Sequence, residues 1–290
     1  MTFSATKPEN LRDANCSDST DAGGKYHYAR RCLRPYCPQG ITIDATGTIF
    51  GAADDFGKNG HGTTFKLVPD GSGYQTSVAF EFCQQANCED GSLPNGSLLL
   101  ISDGTIFGTT ATGGNRGQER VPAGDGFCSE SGCTDGSYPG AGVIADGSGN
   151  LFGITGYGGT PAAGVAFKLV PNGVSSLETV LYSFCTLTDC TDGANSIVDG
   201  AGLILDSSGN IFGTTYHGGG HDIDSDGHGG GTVFELNGSE RVLYSFCAQA
   251  NCIDGEHPQA GVIMDGVGNL FGTTVAGGVN GAGTVYELMP

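Results

Sequence analysis

The chain has 290 residues, 53 of them glycine, and sets 12 Lys and Arg against 31 Asp and Glu, a formal net charge of −19. Glycine far above the usual ~7%, with no three-residue period, excludes collagen. It also excludes a helical bundle, because each helix-interior glycine costs about 1 kcal/mol. So acidic a body is repelled by nucleic acid and by anionic membrane surfaces, and no apolar run reaches the ~18–20 residues of a membrane helix.

Taken in chain order, residues 1–24 read as an N-terminal extension without an apolar signal core. An export signal, if there is one, lies outside this sequence. Six of the twelve basic residues (Lys7, Arg12, Lys25, Arg30, Arg31, Arg34) fall in the first 34 positions beside four acids, so this stretch is net positive against a strongly negative remainder. Residues 25–290 are expected to form one domain built from an internal repeat. Phe-Gly recurs at Phe50, Phe107, Phe152, Phe212 and Phe271, at spacings of 57, 45, 60 and 59 residues. A C-x4-C pair recurs in the same phase: Cys32/Cys37, Cys83/Cys88, Cys128/Cys133, Cys185/Cys190 and Cys247/Cys252.

One whole unit reads as four short strands, at Leu203–Leu205, Asn210–Thr214, Thr232–Leu236 and Arg241–Phe246, bounded by turn residues. Four antiparallel strands per unit at this period predict an all-β fold, a five-bladed β-propeller. A stacked β-solenoid is the alternative. The blades are placed at about 38–83, 94–128, 139–185, 199–247 and 259–290. The last unit stops after its third strand, so residues 25–32 are expected to supply its fourth and close the ring, hiding two sheet edges. Arg31 is an imperfect match there, standing where Phe82, Phe184 and Phe246 stand elsewhere. The second unit lacks its GTVFEL-type strand and is expected to be a degenerate blade of two or three strands. Its exposed edge is expected to be covered by residues 1–24 or, through self-association, by another subunit.

The pattern GLIxDxxGNxFGTTxxGG…GTVFEL…VLYSFCxxxxCxDG resembles the GloVer tandem repeat of bacterial choice-of-anchor proteins, from about residue 25 to the end. Units three to five match best. The resemblance implies a secreted or cell-surface propeller-like protein and no defined catalytic activity.

The ten paired cysteines read as five local disulfides, since a tight turn brings the Cα atoms within bridging reach and pairs spread around a ring cannot converge on zinc. Disulfides require an oxidising compartment. Cys16 is left over, either free or linked to another chain. Strand parity puts the Gly-rich loops and the C-x4-C-x-D-G loops on one face, where function is expected. That face carries Asp90, Asp135, Asp192 and Asp254. Each reads either as a turn former that caps its own loop or as part of a ring that binds a cation or sugar hydroxyls.

Residues 221–228 look like an insertion. Asp222, Asp224, Asp226 and the following glycine resemble the start of a calcium loop, but the later EF-hand positions fall on Gly230 and Val233. Three readings stay open: a Ca2+ site, a solvated acidic loop, or a transition-metal site on His217, His221 and His228. Tyr216 is a candidate sugar platform in a chain without Trp. No phosphate loop or nucleophile elbow is present.

The reading that follows is a secreted binding module for a polysaccharide or cell-surface polymer, with binding residues at Tyr216, His217, His221 and the four aspartates. One alternative is a polysaccharide lyase or hydrolase using acids and His at the channel mouth. The other is a structural assembly subunit.

Overall fold

The computed structural model describes residues 19–20, 26–27, 39–54, 57–114, 126–172, 175–195, 202–221 and 229–289. The chain divides into two units, Met1–Cys37 and Pro38–Pro290. In the first, β1 (Ser19–Thr20) pairs antiparallel with β2 (Tyr26–His27). Of residues 25–32, expected to complete the last sheet, only Tyr26 and His27 are described; the rest lie outside the described residues. Tyr26–His27 forms a two-stranded sheet with Ser19–Thr20. A short local hairpin closes a far smaller loop than a pairing with the far end of the chain.

The second unit is all-β and propeller-like, with four four-stranded blades. Its longest helical elements among the described residues are three-residue 3-10 turns, and no helix is long and apolar enough to cross a membrane. The first blade is β3 (Gln39–Ile43), β4 (Ile49–Ala53), β5 (Thr63–Pro69) and β6 (Tyr74–Glu81), paired in sequence order. Among the described residues the second repeat forms a two-stranded sheet, β7 (Ser92–Leu100) with β8 (Ile106–Thr112), within the two or three strands that the missing GTVFEL strand leads one to expect.

The third repeat gives β9 (Ile144–Ala145), β10 (Leu151–Ile154), β11 (Val165–Asn172) and β12 (Ser175–Ser183). The fourth gives β13 (Ile204–Leu205), β14 (Ile211–Thr215), β15 (Thr232–Leu236) and β16 (Glu240–Ser245). In the last blade, β17 (Glu256–Pro258) and β18 (Ile263–Met264) both pair with β19 (Leu270–Ala276), which also pairs with β20 (Val285–Leu288).

The invariant Phe-Gly pair has a packing cause. The glycine sits opposite the aromatic residue of the third strand: Gly51 opposite Phe65, Gly153 opposite Phe167, Gly213 opposite Phe234, Gly272 opposite Tyr286. That ring lies across the glycine. A Cβ at Gly51, Gly153 or Gly213 would come within 2.6, 2.4 or 2.7 Å of the ring's Cζ. A cross-strand aromatic thus covers a residue that would otherwise weaken its strand.

Consecutive sheets pack through a repeated junction. Phe152, Ala166 and Phe184 of the third repeat enclose Leu203 of the fourth. Phe212, Val233 and Phe246 of the fourth enclose Val262 of the fifth. The same positions at the ends of the series are open: Val285 is 83% exposed where Val233 is 0%, and Ile41 is 63% exposed where Val262 is 2%.

Candidate functional site

The C-x4-C-x-D-G loops share one construction. Four disulfides close them: Cys83–Cys88, Cys128–Cys133, Cys185–Cys190 and Cys247–Cys252. The Cys32/Cys37 pair and Cys16 lie outside the described residues. Both cysteines of each loop have left-handed backbones, with φ of 56° and 54° at Cys83 and Cys88. This strained region is uncommon for residues with a Cβ, and the cross-link and buried aspartate hold it.

The aspartates are anchors inside these loops. Asp90 accepts hydrogen bonds from the backbone N–H groups of Gln84 and Gln85 at 2.8 and 3.2 Å. Asp135 accepts from the N–H of Ser129 at 2.7 Å and from its hydroxyl. Asp192 accepts from the N–H and hydroxyl of Thr186 and from the Tyr182 hydroxyl at 2.7 Å. Asp254 accepts from the N–H groups of Ala248 and Gln249 and from the Tyr244 hydroxyl at 2.8 Å. Asp90, Asp135 and Asp192 are buried. A buried carboxylate is tolerated where charge-assisted bonds replace its water. Burial, and then the neighbouring Asp254 carboxylate, push the Tyr244 hydroxyl up to about 12, so it stays a proton donor at neutral pH. The loops therefore present a pinned surface, with these four carboxylates turned to their own amides.

On that surface one group departs from the repeat. It lies at the junction of the fourth and fifth repeats, where Tyr216 and His217 follow β14 and Glu256 and His257 belong to β17. The Tyr216 and His257 rings are stacked, 4.4 Å apart and 3° from parallel. The His217 ring stands edge-on to both, at 4.7 Å from Tyr216 and 5.2 Å from His257. His257 Nδ1 is 2.9 Å from the Tyr216 carbonyl. A carbonyl oxygen only accepts, so Nδ1 carries the proton. Its Nε2 lies 3.3 Å from the Glu256 carboxylate, and the two side chains are 18% and 26% exposed.

His257 itself takes a left-handed backbone, φ 55°, and its N–H donates to the Gly230 carbonyl at 2.8 Å. Leu93 and Asn195, at the same place in their repeats, bond to His61 and Ala163 in the same way. The stack is thus fixed by a backbone device common to the repeats.

The insertion opens beside this stack. The Gly230 N–H donates to the His221 carbonyl at 3.2 Å, joining its two ends, and His221 is exposed. Asp222, Asp224, Asp226 and His228 lie outside the described residues. Among the described residues two triplets of suitable side chains converge, His61 with Cys83 and Cys88, and Glu256 with Cys247 and Cys252. Their sulfurs are tied in disulfides, so neither offers the thiolates a metal needs.

The structure brings Tyr216 and His217 together as partners. Glu256 and His257 complete the group and were missed from sequence. Their signal is a departure from repetition. The dipeptide after C-x-D-G is Ser92-Leu93, Ser137-Tyr138 or Ala194-Asn195 elsewhere, and only here does it pair a carboxylate with an imidazole.

No curated protein matches the chain. Among solved structures it is similar to virginiamycin B lyase from Staphylococcus aureus in an inactive form with quinupristin, at 12% identity and a TM-score of 0.47, over 87% of this chain and 71% of that one. It is also similar to a protein of unknown function from Dyadobacter fermentans, at 10% identity and TM-score 0.41, over 87% and 81%. A third is an α-L-arabinofuranosidase from Podospora anserina in complex with cellotriose, at 14% identity and TM-score 0.39, over 87% and 90%. Likenesses this distant say nothing about the site. A family profile described as the Gloeobacter/Verrucomicrobia repeat matches residues 26–222 and 122–290. The chain belongs to the Gloeobacter/Verrucomicrobia repeat family.

Proposed function

We propose that this protein is an extracellular binding module that holds a polysaccharide or similar hydroxyl-rich polymer at the Tyr216, His217, Glu256 and His257 group. The observation that carries the reading is the fixed Tyr216–His257 stack with a carboxylate beside it. An aromatic edge with acceptors and donors in fixed positions suits sugar hydroxyls and sugar C–H faces, and holding the group rigid lowers the cost of binding. Four local disulfides support export to an oxidising compartment.

A hydrolase or lyase reading finds less support. Both His257 ring nitrogens face acceptors of the protein itself, whereas a general base must be free to take a substrate proton. Affinity electrophoresis in gels cast with soluble polysaccharides tests the proposal. A retarded wild-type band and an unretarded Tyr216→Ala band are expected, and a chelator arm asks whether Ca2+ at Asp222, Asp224 and Asp226 contributes.

The finer architecture is proposed with it. Five repeats close into one ring when the faces of Ile41 and Val285, both open in this structure, come together as those of Val262 and Val233 do. The support is the equivalence of these positions in the repeat and the apolar character of both faces.

A further inference from the structure

Among the described residues the second repeat has no third or fourth strand. Among the described residues β8 pairs only with β7, whereas β4, β10, β14 and β19 each also have a third strand alongside. Beside β8 lies a groove of about 1030 Å3, walled by Phe80 and Phe82 of the first repeat and by Phe107, Phe127, Phe167 and Leu169. Gly108 shows what is missing. Gly51, Gly153 and Gly213 are buried beneath the aromatic ring of their third strand, but Gly108 is exposed. A Cβ there would meet only Leu98, at 2.8 Å, whereas at Gly213 it would meet both Leu203 and Phe234. Residues 115–125 lie outside the described residues, and their sequence, NRGQERVPAGD, has no aromatic residue to place over Gly108.

We propose that the β8 edge and its groove accept an extended peptide strand from a partner protein. The strand pairs with β8 in the third-strand position, lays a Phe or Tyr across Gly108, and sets an aliphatic residue two positions later against Leu169. The open ladder supplies main-chain hydrogen bonds and the groove supplies side-chain selection, which is the division of labour in β-strand addition. The partner's chemistry follows from continuity with the other blades, whose strands in this place read Thr-Thr-Phe-Lys-Leu, Val-Ala-Phe-Lys-Leu, Thr-Val-Phe-Glu-Leu and Thr-Val-Tyr-Glu-Leu. An unprotected edge of this length is otherwise an aggregation hazard. This site is separate from the Tyr216 group and does not depend on it.

The test uses a fluorescein-labelled peptide with the sequence of residues 231–238, Gly-Thr-Val-Phe-Glu-Leu-Asn-Gly, titrated with the full chain and read by anisotropy. Saturable binding is expected, at least tenfold weaker for the Phe234→Ala version of the peptide. Gly108→Val in the full chain should weaken binding similarly with an unchanged circular dichroism spectrum. Should that variant not fold, the two peptides alone decide. Equal binding of both peptides overturns the proposal. So does no binding, whether because residues 115–125 fill the groove or because a second copy does, the latter visible as a dimer in sedimentation.

Discussion

Phe234 lies across Gly213, its Cζ 2.7 Å from where a Cβ would stand. The contact joins the second and third strands of the fourth blade and recurs in three other blades, so it explains why Phe-Gly is the repeat's marker. Gly213→Val must displace a fully buried ring. Overpacking of this kind costs about 3 kcal/mol. Thermal denaturation should show the loss, and adding Phe234→Ala should give less than the sum of the two single effects. Strictly additive losses would mean that the residues do not act as a pair.

Asp192 anchors its own loop. It is fully buried and holds Thr186 and Tyr182. Asp192→Ala removes the acceptor these donors share, which costs about 1–3 kcal/mol. Urea denaturation should register that loss, while polymer binding at Tyr216 should stay within twofold of wild type for the folded variant. Lost binding with unchanged stability would reverse the assignment.

Glu240 gives the fold a pH dependence. Burial first, and the negative charge of Asp192 second, push its carboxyl up from 4.5 to about 7. The folded state therefore favours the protonated form. Its contribution is complete below about pH 4.5 and is lost as pH rises through 7. Allowing for screening of a half-buried group, the effect is about 1–2 kcal/mol. Glu240→Gln should melt about 3 °C above wild type at pH 8 and level with it at pH 4.5. Scanning calorimetry at the two pH values checks this, and equal melting temperatures at pH 8 would contradict it.

Much of this architecture was legible because it repeats. Phe-Gly and C-x4-C mark the units, and the missing GTVFEL strand marks the second as a degenerate blade of two or three strands. What repetition could not convey was direction. The aspartates of C-x-D-G were placed on the correct loops, but only the structure turns Asp90, Asp135, Asp192 and Asp254 towards the amides of their own loops. His257 was missed because its meaning lies in breaking the pattern at a position where other repeats carry Leu93, Tyr138 and Asn195. The described part of the expected closing strand has a local partner. Tyr26–His27 had Ser19–Thr20 within a few residues, and periodicity does not count loop entropy.

Ring closure makes a covalent prediction. In the variant Ile41→Cys with Val285→Cys, mild oxidation should link the two new cysteines within one chain. Peptide mapping by mass spectrometry should recover that pair from a band of monomer mass. A bond found only in dimers would place the two faces between molecules.

The binding site itself is tested most directly by measuring retention of wild type, Tyr216→Ala and Glu256→Gln on a polysaccharide and glycan array. Tyr74→Ala, on the exposed edge of the first blade, serves as the control. The Tyr216–His257 stack predicts retention of wild type and Tyr74→Ala on the same ligands, and at least tenfold weaker retention of the other two. Wild type retained by no glycan, or all four proteins retained alike, would contradict it.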